Sequence, residues 1–205
     1  VLLHGSRGSG KTAVAAKIAL ESDFPFVKVI SPDSYVGVSE PYKNQQIARV
    51  FDDAYKSNLS CVVIDNIERL MEYTPIGPRF SNLVLQSLLV LIRKAPPKGR
   101  RLLVIGTTAS PEVLEDVELK DAFDAAVEIP DLNDRNEVRK VLEEINCFDS
   151  PSAVEEAADA VVGQIAIKRL FMGVEMAREG RDRISLEDFE ASMRGMGIPV
   201  KSDVL

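Results

Sequence analysis

Residues 5–12 read GSRGSGKT, directly after the apolar run VLL and His4 and directly before the Ala-rich stretch AVAAKIAL. The spacing is G-x-x-x-x-G-K-[ST], and a short strand before it with a helix behind it is the context in which that spacing makes a phosphate cradle. This one feature restricts the fold more than any other, because a strand–loop–helix unit of this kind belongs to a parallel sheet. Gly5, Gly8 and Gly10 let the backbone bend around a phosphate chain, with Ser6, Arg7 and Ser9 between them. The N–H groups at the positive end of the helix dipole then supply the donors. Lys11 is expected to reach the β- and γ-phosphates, and the Thr12 hydroxyl to bind Mg²⁺. The alternative, a Gly-rich turn that binds nothing, does not account for the flanking strand and helix.

The rest of the first 130 residues repeats that alternation. Strands are predicted at 1–4, 24–31, 59–65, 101–107 and 126–129, and helices at 11–21, 41–57, 80–94 and 111–120. The strands are near-continuous Val, Ile and Leu, which predicts an α/β fold whose five-stranded parallel sheet is covered on both faces. After IPDLND the strands stop, and the text turns helical from Asn133. A boundary near residue 132 is therefore expected, with an α/β body over 1–132 and a small helical domain over 133–205. Ser150–Pro151 reads as an N-cap followed by proline at the first helical position, and Ser185 with Asp188 as a capping box. The tail GIPVKSDVL is expected to be loose. The abrupt start on a strand suggests a piece of a longer chain.

Composition excludes several classes. The net charge is -7 with a pI of about 4.9, and no basic, aromatic-rich segment stands out, which argues against nucleic acid. Two cysteines without a C-x-x-C partner and a single histidine leave no zinc set, so Cys61 and Cys147 read as reduced thiols, Cys61 in the core. No apolar run approaches the roughly 20 residues of a membrane-spanning helix. His4 is read as a packed strand-end residue.

The second half of the phosphate site lies in CVVIDNIERL, residues 61–70. A buried strand there ends in Asp65, placed to hold Mg²⁺. The next position, where a site that hydrolyses ATP needs a second acid, carries Asn66, whose amide can hydrogen-bond a water molecule but cannot take its proton. Glu68, one turn on, is expected to face solvent or to pair with nearby charges rather than to replace the absent base. The residues thus point to a nucleoside triphosphate with Mg²⁺. A P-loop kinase of small molecules fits poorly, because no acceptor site is visible.

The body resembles the AAA+ ATPases. SPDSYVGVSE is similar to their pore-loop segment, with Tyr35, Val36 and Gly37 at its tip. FDDAYKSNLSCVVIDNIERL and YTPIGPRFSNLVLQSLLVLIRKAPP resemble more narrowly the second ATPase module of the N-ethylmaleimide-sensitive factor family, the vesicle-fusing ATPases. The likeness runs to about Pro130 and more weakly through IAIKRLFMGVEM. It implies ATP and Mg²⁺ as ligands, a homo-hexameric ring, a helical lid, and SNARE complexes engaged through an adaptor protein. It also implies a cytoplasmic protein that reaches transport membranes only through its partners. By the same resemblance Lys168 takes the second-sensor position and Thr108 lies near the γ-phosphate, while Ala109 stands where family members carry a polar residue. The arginine-finger position falls on Ala122. An arginine finger contributes roughly 10³ to 10⁵ in rate and a general base about 10² to 10⁴, so a domain that binds ATP with little hydrolysis and stabilises the ring is expected. The alternative is a catalytically active, polypeptide-threading module, in which Tyr35 grips substrate instead of packing in the channel.

Overall fold

The structure is a computed structural model and describes residues 1–76 and 79–201. Its contacts divide the chain into two compact units: Val1–Ser6 with Lys11–Ile129, and Arg7–Gly10 with the chain from Pro130 onward.

The first unit is an α/β layer structure. Its strands are β1 (Leu2–His4), β2 (Phe26–Ile30), β3 (Leu59–Ile64), β4 (Arg101–Thr108) and β5 (Ala126–Glu128), and its helices are α1 (Lys11–Glu21), α2 (Glu40–Ala54), α3 (Ile67–Leu70), α4 (Asn82–Arg93) and α5 (Pro111–Asp116). All strand pairs are parallel, in the order β2-β3-β4-β1-β5. The near-continuous apolar strands follow from burial on two faces. Leu2, Val62 and Ile64 enter one core with Phe51 of α2 and Leu88 of α4, whereas Leu3, Cys61, Val63 and Ile105 meet Ala15 and Ala19 of α1. Even and odd positions therefore feed opposite layers, as the two-residue period of a strand requires.

Two tight places fix the sheet. A Cβ at Gly106 of β4 would lie 2.6 Å from Phe123 Cζ and 2.8 Å from Ile67 Cδ1, so only hydrogen fits. The first turn of α2, where Pro41 needs no N–H partner, anchors the segment beyond α3: the Lys43 ammonium donates to the Leu70 carbonyl at 3.2 Å and to the Glu72 carboxylate. Ser81, the N-cap of α4, accepts from the Val84 N–H at 3.1 Å and donates to the Glu40 carboxylate. In the YTPIGPRF stretch, residues 77 and 78 lie outside the described residues. Among the described residues no helix is long and apolar enough to cross a membrane.

The second unit contains α6 (Arg135–Ile145), α7 (Pro151–Ala160), α8 (Ile167–Arg178) and α9 (Leu186–Gly195). Leu142, Ala157, Leu170, Val174, Phe189 and Met193 form its core, in which Phe148 and Phe189 meet edge to face at 5.6 Å. The predicted caps are in place. Ser150 accepts from the Ala153 N–H at 3.2 Å ahead of Pro151, and Ser185 and Asp188 form a capping box. The tail departs from its expected looseness: Ile198 and Val200 are buried, and Val200 bridges Val161. Two apolar side chains two residues apart give that segment a face to pack. Residues 202–205 lie outside the described residues. Both cysteines are free and buried, and burial pushes both thiols above their usual range.

Candidate nucleotide site

The phosphate loop needs glycine where its backbone turns into the left-handed region. Gly8 has φ +90° and Gly10 φ +102°, values that side-chain-bearing residues rarely adopt. In the second unit a Cβ on Gly8 would also come within 3.2 Å of Lys168 Cβ, and the Gly8 carbonyl accepts from the Lys168 N–H at 3.0 Å. Lys168 is thereby placed at the start of α8 with an exposed side chain. Ser6 and Arg7 are exposed and Ser9 is buried.

α1 begins at Lys11 itself, so the loop feeds directly into a helix N-terminus. Lys11 is buried, and its ammonium donates to the carbonyls of Gly5 at 3.0 Å and Ser6 at 2.5 Å. A cation folded onto its own loop in this way is available for exchange onto anionic phosphate oxygens, the stronger acceptors.

In the first unit, Asp65 directly follows β3. Its Oδ1 accepts from the Thr12 hydroxyl at 2.7 Å and from the Thr107 hydroxyl at 2.8 Å, and its Oδ2 accepts from Asn66 Nδ2 at 2.8 Å. Thr12 and Asp65, both expected at the metal, are thus brought together. The donor set fits Mg²⁺, a hard cation that takes one or two protein oxygens alongside phosphates. The Thr12 hydroxyl gives its proton to Asp65 and keeps its lone pairs for an ion.

Asn66 adopts the left-handed conformation, φ 50° and ψ 61°. Its side chain is turned back onto Asp65. Ala122, at the position the resemblance assigns to an arginine finger, is 9% exposed in the core with Leu119 and Phe123. Tyr35 is half-buried against that core, and burial raises its phenol above the usual range, whereas Val36 beside it is 82% exposed. His4 is half-buried at the end of β1.

Glu68 does not face solvent as expected. It is 6% exposed, with Oε2 accepting from the Thr108 hydroxyl at 2.9 Å and Oε1 from the Ala109 N–H at 3.0 Å. The end of β4 presents more donors than its own strand satisfies, and the carboxylate is drawn in to meet them. Thr108 is consequently buried against Glu68, its oxygen also accepting from the Ser110 N–H at 3.0 Å. Of the two threonines that end β4, Thr107, which no motif marks, is the one that touches Asp65. The signal was parity: residues 61, 63 and 65 share a face with 103, 105 and 107 once Val63 is paired with Ile105.

A family profile, the ATPase family associated with various cellular activities (AAA), matches residues 1–131. The chain is 45% identical over 198 residues to the vesicle-fusing ATPase of Dictyostelium discoideum, covering 92% of this chain and 26% of that protein. It is 44% identical over 197 residues to the vesicle-fusing ATPase of Arabidopsis thaliana, with 96% and 26% covered, and 42% identical over 186 residues to that of Caenorhabditis elegans, with 87% and 23% covered. The chain spans about a quarter of the length of these curated relatives. With the glycine-rich loop, Lys11, Thr12 and Asp65 on a parallel five-stranded sheet, the chain belongs to the AAA family of ATPases.

Proposed function

We propose that this chain is an MgATP-binding module of a vesicle-fusing ATPase, one that stabilises a homo-hexameric ring and contributes little hydrolysis of its own. The observation that carries this reading is the state of Asp65. Both of its oxygens are hydrogen-bonded, and the adjacent position holds an amide that donates to it instead of a carboxylate aimed outward. The groups that bind are assembled; the group that would deprotonate a water is replaced by one that supports binding. Gly5, Ser6, Arg7, Gly8, Ser9 and Gly10 shape the loop, Lys11 neutralises the terminal phosphates, and Thr12 and Asp65 hold the metal. Mg²⁺, when bound, screens charge on the β- and γ-phosphate oxygens. Thr108 acts beside the site through Glu68, and Lys168 reports the terminal phosphate.

As the resemblance implies, the whole protein would hydrolyse ATP mainly at another module, act on SNARE complexes through an adaptor, and work in the cytoplasm at transport membranes. A ligand at 100 times its dissociation constant stabilises the state that binds it by about 2.7 kcal/mol, enough to favour an assembled ring. Tyr35, half-buried against the core of the first unit, supports packing over a grip on polypeptide in the threading alternative.

The test compares MgATP binding with turnover in the full-length protein, using Lys11→Ala as the control. Tight binding with slow turnover at this site, both binding and ATP-dependent hexamer stability being lost in Lys11→Ala, is the expected result. Unchanged affinity in Lys11→Ala would overturn the cradle, and rapid turnover at this site would overturn the assignment as a binding module.

A further inference from the structure

Thr107 occupies the next-to-last position of β4 and is fully buried. Packing alone would accept valine there, which has nearly the same shape. Yet the hydroxyl is used twice, donating to Asp65 Oδ1 at 2.8 Å and accepting from the Asn66 N–H at 2.9 Å. Asn66 closes a ring by donating from Nδ2 to Asp65 Oδ2 at 2.8 Å. The ring joins the end of β3 to the end of β4, and it secures the left-handed backbone of Asn66 together with the plane of the Asp65 carboxylate.

We propose that Thr107 is a positioning residue for the metal end of this site, fixing the Asp65 carboxylate in the orientation at which it and Thr12 together offer oxygens to Mg²⁺. The proposal rests on the reading of residues 5–12 and Asp65 as an MgATP site. Without Thr107 the carboxylate keeps the Thr12 hydroxyl on Oδ1 and the Asn66 amide on Oδ2, but Asn66 itself loses the acceptor of its N–H, so neither contact stops the pair turning about the broad, soft terminal torsion of Asp65. A second donor on the same oxygen, from a different element, removes that freedom. Thr12 belongs to α1 and Thr107 to β4, so the two donors approach from separate layers. Partners in the outer shell of a metal site typically alter metal affinity by about 10- to 100-fold when removed.

The role separates metal from nucleotide. The Thr107 hydroxyl bonds to Asp65 and Asn66, at the metal end of the site, so affinity for ATP without metal should not depend on it. The experiment is a fluorescent ATP-analogue titration of the full-length protein and its Thr107→Val and Thr107→Ser variants, first in EDTA and then across a Mg²⁺ series. Metal-free affinity should stay within about twofold in all three. The Mg²⁺ concentration giving half of the metal-dependent gain should rise about 10-fold in Thr107→Val and stay near the parent value in Thr107→Ser, which keeps the hydroxyl. A Thr107→Val titration that overlays the parent overturns the proposal. So does an equal loss of binding with and without Mg²⁺, which would mark a merely structural role. If Thr107→Val does not fold, Thr107→Ala carries the same comparison with the same outcomes. A parent that binds no nucleotide in either condition overturns the underlying site reading as well.

Discussion

Replacing Glu68 by alanine tests whether the carboxylate is a buried strut or a surface charge. The side chain is 6% exposed and accepts from the Ala109 N–H at 3.0 Å and the Thr108 hydroxyl at 2.9 Å. Thr108 is fully buried, and its oxygen is occupied by the Ser110 N–H. After Glu68→Ala the Thr108 proton must find a new acceptor and the Ala109 N–H loses its partner. A buried group left unsatisfied costs about 1–3 kcal/mol. Because Ala109 is only partly shielded, its share lies at the low end, and the vacated side-chain volume adds a little. The expected loss is about 2–4 kcal/mol. Glu68→Gln keeps the volume and one acceptor oxygen, so it should lose about half as much. The assay is urea unfolding of this chain followed by circular dichroism, with the midpoint shifting at constant slope. Substitutions at exposed sites usually stay within about 0.5 kcal/mol. If Glu68→Ala falls in that range, the carboxylate is not the strut described, and the reason given for the burial of Thr108 is wrong.

Gly106→Ala should destabilise the first unit by about 1–3 kcal/mol, because its Cβ would sit 2.6 Å from Phe123 Cζ; thermal unfolding that matches the parent would refute the close approach. In the second unit, Ser185 donates to Asp188 from its hydroxyl at 2.9 Å and from its N–H at 3.3 Å, and Arg181 lies 3.2 Å away. The hydroxyl bond first, then the N–H and Arg181, hold the Asp188 carboxyl below its ordinary value. A depressed carboxyl contributes stability above its unfolded value and loses it as pH falls through the folded one. Ser185→Ala should therefore cost stability at neutral pH, about 1 kcal/mol for the cap, and less in acid, read from unfolding midpoints across a pH series.

The fold was legible because its signals are local. A glycine-rich loop, apolar runs of strand length and helix caps each act within a few residues, so all five strands and the principal helices fall close to their expected places. The short α3 after Asp65 and the single turn at Pro32–Tyr35 were missed, since four residues show no helical period. The Thr12–Asp65 contact was legible because each residue sits in a motif of its own, one at a loop–helix junction and one at a strand end. Glu68 and Thr107 were not. Each depends on the register of β3 against β4, where Val63 pairs with Ile105, and a strand buried on both faces hides its own parity. A charged residue following an exposed-looking IER pattern reads as surface until the neighbouring strand is seen to end in unpaired donors.

That same register decides what restoring an acid at residue 66 would do. Asn66→Glu offers a carboxylate to a water molecule, but three losses accompany it. Asn66 sits at φ 50° and ψ 61°, a conformation asparagine tolerates several-fold better than most residues. Glutamate cannot donate to Asp65 Oδ2, so the 2.8 Å bond from Nδ2 is lost. The new charge also lies beside the existing carboxylate, and like charges raise the cost of ionising both. In the proposed ring, meanwhile, the neighbouring protomer would present Ala122 at the position the family resemblance assigns to the arginine finger. Adding Ala122→Arg is no simple remedy. Ala122 is 9% exposed among Leu119 and Phe123, so a longer side chain must leave the core or overpack it at about 1–3 kcal/mol. Turnover at this site in Asn66→Glu should accordingly remain within about 10-fold of the parent, because these three losses keep the new carboxylate from supplying the roughly 10² to 10⁴ of a well-placed base, and roughly 10³ to 10⁵ from an arginine would still be missing. The measurement is steady-state phosphate release from full-length protein whose other nucleotide site is disabled, paired with MgATP affinity. A rise of about 10² to 10⁴ in Asn66→Glu alone would show that the three losses do not impair the new base, and a larger one would mean that a cation elsewhere already meets the γ-phosphate. Asn66 would then be the sole block to hydrolysis, and the burial of Ala122 would carry no weight in explaining it.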